Sequence, residues 1–211
     1  MEIQKRRRGR PPKDKETYDT TREGLIHAGL TLLTEKGFSA AGVDEIVQRV
    51  AVPKGSFYYY FKSKEALGAE LIDRYGKYFS SRLDRFLLDD SQAPLQRIRA
   101  FLADRIKGMG HHEYKRGCLV GNLGQEMNTL PESFRDKLRE TFRDWQDRLE
   151  KCLLEAKAVG EIAEGANCRR LSEIFWIGWE GAVLRAKLER SPMPLFLFAE
   201  FFFDNLENRN L

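Results

Sequence analysis

What this sequence is short of sets the first limits on it. Among 211 residues only three are cysteine, Cys118, Cys152 and Cys168, an odd number at wide spacing with no CxxC pair. Neither a disulfide framework nor a structural zinc site fits that pattern, and a reducing cytoplasm is the expected home. Histidine is equally scarce, three in all. His111 and His112 adjoin Glu113, but without further ligands at suitable spacing they read as solvated, so no metal and no cofactor is expected. Prolines number seven, and strand-like alternation is missing, which leaves helix as the regular structure. The longest apolar run, PLFLFAEFFF from Pro194 to Phe203, is interrupted by Glu200 and is too short to cross a bilayer. The basic N-terminus is followed by no apolar stretch, so neither secretion nor membrane insertion is expected.

What is present is a densely charged chain, 42% hydrophobic and 32% charged, with enough apolar mass for a sizeable core. Its net charge of +4 is unevenly placed. Seven Lys and Arg residues between Met1 and Lys15 face only Glu2 and Asp14, so the arm is strongly basic and the remainder is close to neutral. A localised contact with a polyanion follows, not a generally basic surface. Within the arm, Arg8-Gly9-Arg10-Pro11 resembles an AT-hook core, with Arg8 and Arg10 suited to a narrow minor groove; a bare basic tail attracted to phosphate is the alternative.

Beyond the arm, apolar residues recur at intervals of three and four, which predicts about nine helices and an all-α fold. The first runs from about Thr21 to Lys36, with Thr20 or Thr21 as its N-cap and Gly37 as its stop. A second spans Val43 to Val50, and a short polar and aromatic third spans Pro53 to Tyr60. Two short helices joined by a tight turn and backed by a supporting helix outline a helix-turn-helix. Ser63 caps a long fourth helix that reaches into a second unit. Later helices are predicted near Ala93–Met109, Leu119–Met127, Pro131–Val159, Leu171–Arg190 and Leu195–Asn208.

The residues from Gly37 to Leu67 resemble the N-terminal domain of the TetR family of bacterial repressors. They carry a Gly-Phe pair after the first helix, a V-x-x-I helix (Val43, Ile46), then Gly55-x-Phe57-Tyr58-x-x-Phe61 and Lys64-x-x-Leu67. Tyr60 stands where that family commonly has histidine, and a phenol still donates a hydrogen bond to phosphate. Independently, a recognition helix needs small or polar residues at its leading end; Lys54, Gly55 and Ser56 sit there, with Phe57 and Phe61 as core anchors. Tyr58, Tyr60 and Lys64 are expected to clamp phosphates, and Tyr59 suits either role. The bland alternative for FYYYF is an aromatic face packed in a core.

The resemblance implies three parts: a basic, flexible arm over residues 1–18, a helix-turn-helix domain over 19–65, and a ligand-binding and dimerisation domain over 66–211. It implies a cytoplasmic homodimer on palindromic operator half-sites about 34 Å apart. The last helix is more apolar than one buried face requires, and Phe198, Phe201 and Phe202 are the candidate dimer contacts; full burial in the core is the alternative.

On the penultimate helix Trp176, Glu180, Leu184 and Lys187 share a face, which suits either a pocket wall or a packed helix with exposed charges. The segment GCLVGNLGQEM with this helix resembles a TetR subgroup containing repressors responsive to acrylate and dimethylsulfoniopropionate, and more distantly a repressor responsive to N-ethylmaleimide and other electrophiles. That likeness implies an effector site at Cys118, Asn122, Trp176, Glu180 and Lys187. Lys115, Arg116 and the start of a helix would favour a thiolate at Cys118, whereas packing of a free thiol among glycines is the plain alternative. Cys168 is a competing reactive thiol, and Cys152 looks structural. Two other functions remain: an enzyme using Cys118 as nucleophile with His111 or His112 as base, and an architectural DNA-binding protein without an effector.

Overall fold

Residues 15–207 are described by the computed structural model, with side chains from Tyr18 to Leu206, so Arg8 and Arg10 lie outside the described residues. The described chain contains helices and no strand. Three helices come first: α1 (Lys15–Lys36), α2 (Val43–Arg49) and α3 (Lys54–Tyr60). The first helix begins earlier than the threonine caps suggested, running straight through Thr20 and Thr21. Its leading turn is held by tertiary packing, because Tyr18 lies 4.7 Å from the Tyr60 ring and 5.7 Å from that of Tyr59. It stops where expected: Gly37 has φ +84° and donates its N–H to Leu33 O at 3.0 Å. Only glycine adopts that conformation without strain.

Leu25, Leu32, Ile46 and Phe57 are fully buried together and form the small core of this unit. Helix α4 (Lys64–Leu87) starts on the Ser63 cap, whose Oγ accepts from Ala66 N at 3.2 Å. At 24 residues it is about 36 Å long, so Leu67 and Leu71 pack in the first unit while Phe79 and Leu83 pack in the second.

The second unit adds α5 (Pro94–Gly110), α6 (Leu119–Gln125), α7 (Glu132–Ala158), α8 (Cys168–Glu189) and α9 (Met193–Glu207). Its centre is aromatic. Trp145 lies 4.3 Å from Phe79 and 5.1 Å from Trp176. Truncating any of these large buried rings would cost roughly 3–5 kcal/mol. Arg97, buried in this unit, donates to Leu87 O and Gln92 O and pairs with Glu155 at 2.6 Å, pinning the ends of α4, α5 and α7 together. Among the described residues no helix is long and apolar enough to cross a membrane.

Candidate functional site

Two features of this architecture can do chemistry with a partner: the outer face of α3, and a cavity where α4, α5 and α8 meet the end of α1.

Helix α3 is anchored by Phe57 and Phe61, whose rings lie 5.6 Å apart in the core. That anchoring turns Lys54, Gly55, Tyr58 and Tyr59 outward, with Ser56 half-buried. Tyr58 and Tyr59 are 54% and 64% exposed, unusually open for aromatics and unlike an aromatic core face. Lys54 pairs with Asp44 at 2.9 Å, but both are exposed, so the pair is weak and gives way to a stronger anion. Two of the expected phosphate clamps are turned toward their own domain. Lys64 donates to the Phe38 and Ala41 carbonyls, both at 3.0 Å, and its ammonium lies 4.3 Å from the Phe38 ring centre. Tyr60 is half-buried against Tyr18. Both residues shape the α1–α2–α3 unit, a role set by contacts with α1 and its turn that spacing alone does not reveal.

The cavity has a volume of about 330 Å³. Tyr75, Tyr78 and Phe79 come from α4, Arg105 and Met109 from α5, Trp179, Glu180 and Val183 from α8, and Leu30 and Thr34 from α1. The segment His112–Cys118 closes it, with Arg116 and Cys118 in the lining. A larger groove of about 640 Å³ runs between α4 and α7, lined by the ion pairs of Asp73 with Lys137 and of Asp84 and Asp144 with Arg148, together with Lys77 and Glu140. The smaller cavity is the one that Cys118 and Glu180 line.

Three titratable groups gather in its wall. Tyr75, Cys118 and Glu180 all line it, and each lies close enough to its neighbour to influence its titration. The sulfur also caps α6, accepting from Gly121 N at 3.5 Å. Glu180 lies over Gly121, where any side chain would overlap its carboxyl. Burial pushes the Glu180 carboxyl up from its ordinary 4.5 to about 7. Burial, and then the charge on Glu180, raise the Cys118 thiol well above its usual range, and burial does the same to Tyr75. The expectation that Lys115, Arg116 and the helix start would favour a thiolate is thus corrected: desolvation and a neighbouring carboxyl outweigh them.

Nearer the mouth, Arg116 Nε donates to Thr34 Oγ1 at 2.9 Å, and its Nη1 lies 3.5 Å from His112 Nε2. Burial and the Arg116 charge lower His112, keeping the imidazole neutral near pH 7. Among the described residues Arg116 meets no carboxylate within ion-pair distance. A guanidinium lining a partly enclosed cavity without a counter-ion suits an incoming anion.

Of the five residues expected at an effector site, the structure brings Cys118 and Glu180 to the cavity and places three elsewhere. Trp176 is buried in the aromatic core beside Trp145 and Phe175, and Trp179, one turn on, faces the cavity instead. Asn122 donates to Leu33 O and Thr34 O at 3.1 and 3.0 Å. Lys187 reaches Thr34 O at 3.4 Å, so Cys118 faces Glu180 and not Lys187. Tyr75, Thr34 and Arg116 are not apparent from sequence as lining groups because they come from elements far apart in the chain. The spacing of Tyr75 and Phe79 on α4 was the available signal. Cys168 is buried with its thiol raised by desolvation, and Cys152 donates to Pro94 O at 3.4 Å with its thiol pushed up to about 12. Among the described residues no three His, Cys, Asp or Glu side chains converge as a metal site.

A family model for bacterial regulatory proteins of the tetR family matches residues 25–71, and one for the tetracyclin repressor-like C-terminal domain matches residues 94–202. The chain belongs to the TetR family. It is 50% identical over 199 residues to the transcriptional regulator AcuR of Cereibacter sphaeroides, covering 94% of this chain and 90% of that one. The transcriptional repressor NemR of Escherichia coli is 30% identical, over 86% of this chain and 92% of its own. Among solved structures, the regulatory protein TetR from Rhodobacter sphaeroides superposes with a TM-score of 0.86 at 50% identity, over 87% of this chain and 97% of that one. Reduced E. coli NemR gives 0.78 at 29% identity, over 87% and 95%. This TetR-family protein is therefore a DNA-binding transcriptional regulator and not an enzyme, with a helix-turn-helix in its N-terminal unit.

Family members bind operator DNA and small effectors as dimers, and the surface of α8 and α9 bears on that. Phe201 is 64% exposed, in company with Ile177 at 74%, Leu188 at 73% and Leu197 at 68%. Phe202 does not belong to this exposed face. It is buried 5.0 Å from Phe175 in the subunit's own core, because on a helix neighbours in sequence point about 100° apart. Phe198 is half-buried between α8 and α9, packed on Phe175 and Trp179.

Proposed function

We propose that this regulator is a homodimeric repressor that releases its operator when a small carboxylate occupies the cavity lined by Arg116, Tyr75, Cys118 and Glu180. Arg116 carries this reading: it offers a charge without a counter-ion, in a space of about 330 Å³ sized for a small molecule. The effector's anion engages Arg116, and its apolar part lies against Phe79, Trp179 and Val183. The resemblance to acrylate-responsive repressors makes acrylate the first probe. Binding is reversible, because a buried, protonated thiol is a poor nucleophile for addition to an activated alkene.

In this reading Lys54, Gly55 and Ser56 approach base edges, Tyr58 and Tyr59 contact the backbone, and Arg8 and Arg10 of the arm enter an adjacent minor groove. Ile177, Leu188, Leu197 and Phe201 form the centre of the dimer interface, which spaces two recognition helices over palindromic half-sites. The units divide near residues 18 and 65, and the protein works in the cytoplasm.

The test is operator release by acrylate, dimethylsulfoniopropionate, N-ethylmaleimide and a quinone, for wild type and Cys118→Ser, with intact-mass analysis of the released protein. Acrylate should release both proteins and leave wild type without an adduct. A stoichiometric adduct on wild type, with Cys118→Ser remaining on DNA, would overturn reversible sensing in favour of covalent capture.

A further inference from the structure

The C-terminal end of α1 belongs to the DNA-binding unit, yet two of its last carbonyls, those of Leu33 and Thr34, accept from the ligand-binding body. Thr34 O accepts from Gly117 N at 3.0 Å, from Asn122 Nδ2 at 3.0 Å and from Lys187 Nζ at 3.4 Å. Leu33 O accepts from the same Asn122 amide at 3.1 Å, and Thr34 Oγ1 from Arg116 at 2.9 Å. The last carbonyls of a helix need donors from outside it, and here the donors arrive from α6, α8 and the cavity-closing segment.

The turn after α1 is held as firmly. Glu126, at the end of α6, accepts from Phe38 N at 2.8 Å and from Ser39 N at 2.7 Å. Its carboxylate crosses directly over Gly37, where a side chain would overlap it. Both bonds are charge-assisted, the stronger kind. Between these two grips lies α6, seven residues whose Leu119, Val120 and Leu123 are fully buried. Its other end is Cys118, in the cavity wall beside Glu180.

We propose that α6 is a latch: Asn122 and Glu126 are the positioning residues that carry occupancy of the Cys118–Glu180 cavity to the α1–α2 turn and so to the recognition helix. An effector that displaces Cys118 or draws Arg116 from Thr34 moves a short helix, held by its buried Leu119, Val120 and Leu123 face, as one body. The α1–α2 turn follows, because every donor and acceptor of the latch is fixed to one side or the other. The proposal rests on the effector reading above for its physiological trigger, but the mechanical link can be tested without an effector.

The experiment uses full-length protein and an operator duplex selected from a random library. Gly121→Ala places a methyl against the buried Glu180 carboxyl and forces α6 and Glu180 apart in the absence of any ligand. It should weaken operator binding about tenfold in the wild-type background and by less than about threefold when combined with Glu126→Ala or, as a milder alternative, Asn122→Ser. An equal loss in all backgrounds, or no loss in any, would overturn the latch. In a second arm, Glu126→Ala should bind acrylate within about threefold of wild type, read by tryptophan quenching, while the acrylate-induced loss of operator affinity shrinks about tenfold. Tight acrylate binding with undiminished release from Glu126→Ala would also overturn it. A wild type that neither binds acrylate nor releases DNA would count against the effector reading alone, and the Gly121 cycle would then decide the latch.

Discussion

At the residue scale the cavity is governed by desolvation. Cys118 and Glu180 were legible in the sequence, one from its glycine-rich setting and the other from its place on the penultimate helix. Their protonation was not, because it depends on how little water reaches them after α4, α6 and α8 have packed. Glu180, with its carboxyl raised from 4.5 to about 7, keeps its proton in the folded protein over a range where the unfolded chain has lost it. The native state then binds more protons, so this group's contribution to stability falls as pH rises from 4.5 to 7 and stays low above that. Glu180→Gln removes the penalty. Thermal unfolding should show the variant gaining roughly 1–3 kcal/mol over wild type at pH 8 and almost nothing at pH 4.5. A gain that is equal at both pH values would place the carboxyl in water. In the same way, N-ethylmaleimide should label Cys118 in native protein at pH 7 at least about a hundredfold more slowly than after denaturation, measured by peptide mass spectrometry. Equal rates would show an accessible thiolate.

Helices were the most legible level. Periodicity, the Ser63 cap and Gly37 located the described elements to within a few residues, except for the start of α1. The earlier start of α1 was decided by Tyr18 meeting Tyr59 and Tyr60, a packing of segments some forty residues apart that no local cap signals. The roles of Phe201 and Phe202 were equally hidden: both are apolar, both lie on α9, and only packing against Phe175 separates the buried one from the exposed one. Paired substitutions make the difference measurable. Phe201→Glu should give a folded monomer by sedimentation velocity with near wild-type helicity, whereas Phe202→Glu should lose folded protein outright, since burying an unpaired charge costs several kcal/mol. A folded dimer in both cases would contradict this assignment of the two faces. Gly37→Ala should destabilise by roughly 1–3 kcal/mol in chemical denaturation, through its positive φ and the crowding by Glu126. A neutral change would mean that the turn relaxes freely.

On the scale of the whole molecule, charge and cavity divide the work. The body is close to neutral, so most of the long-range attraction to DNA resides in the basic N-terminal residues, which lie outside the described structure. Deleting residues 1–14, which leaves Lys15 to begin α1, should weaken operator binding and lower the slope of log affinity against log salt by about one for each phosphate that the arm no longer neutralises. An unchanged slope would remove the arm from the mechanism. The family was visible in the sequence because its helix-turn-helix motif is local. The wiring between cavity and DNA unit was not, because Arg116, Asn122, Glu126 and Lys187 converge on the end of α1 only in three dimensions. The most direct test of the account is operator affinity by fluorescence anisotropy, at one fixed salt concentration, with and without saturating acrylate. The dissociation constant should rise at least about tenfold with acrylate present. An operator affinity that stays the same while acrylate is shown bound in the cavity would contradict the account.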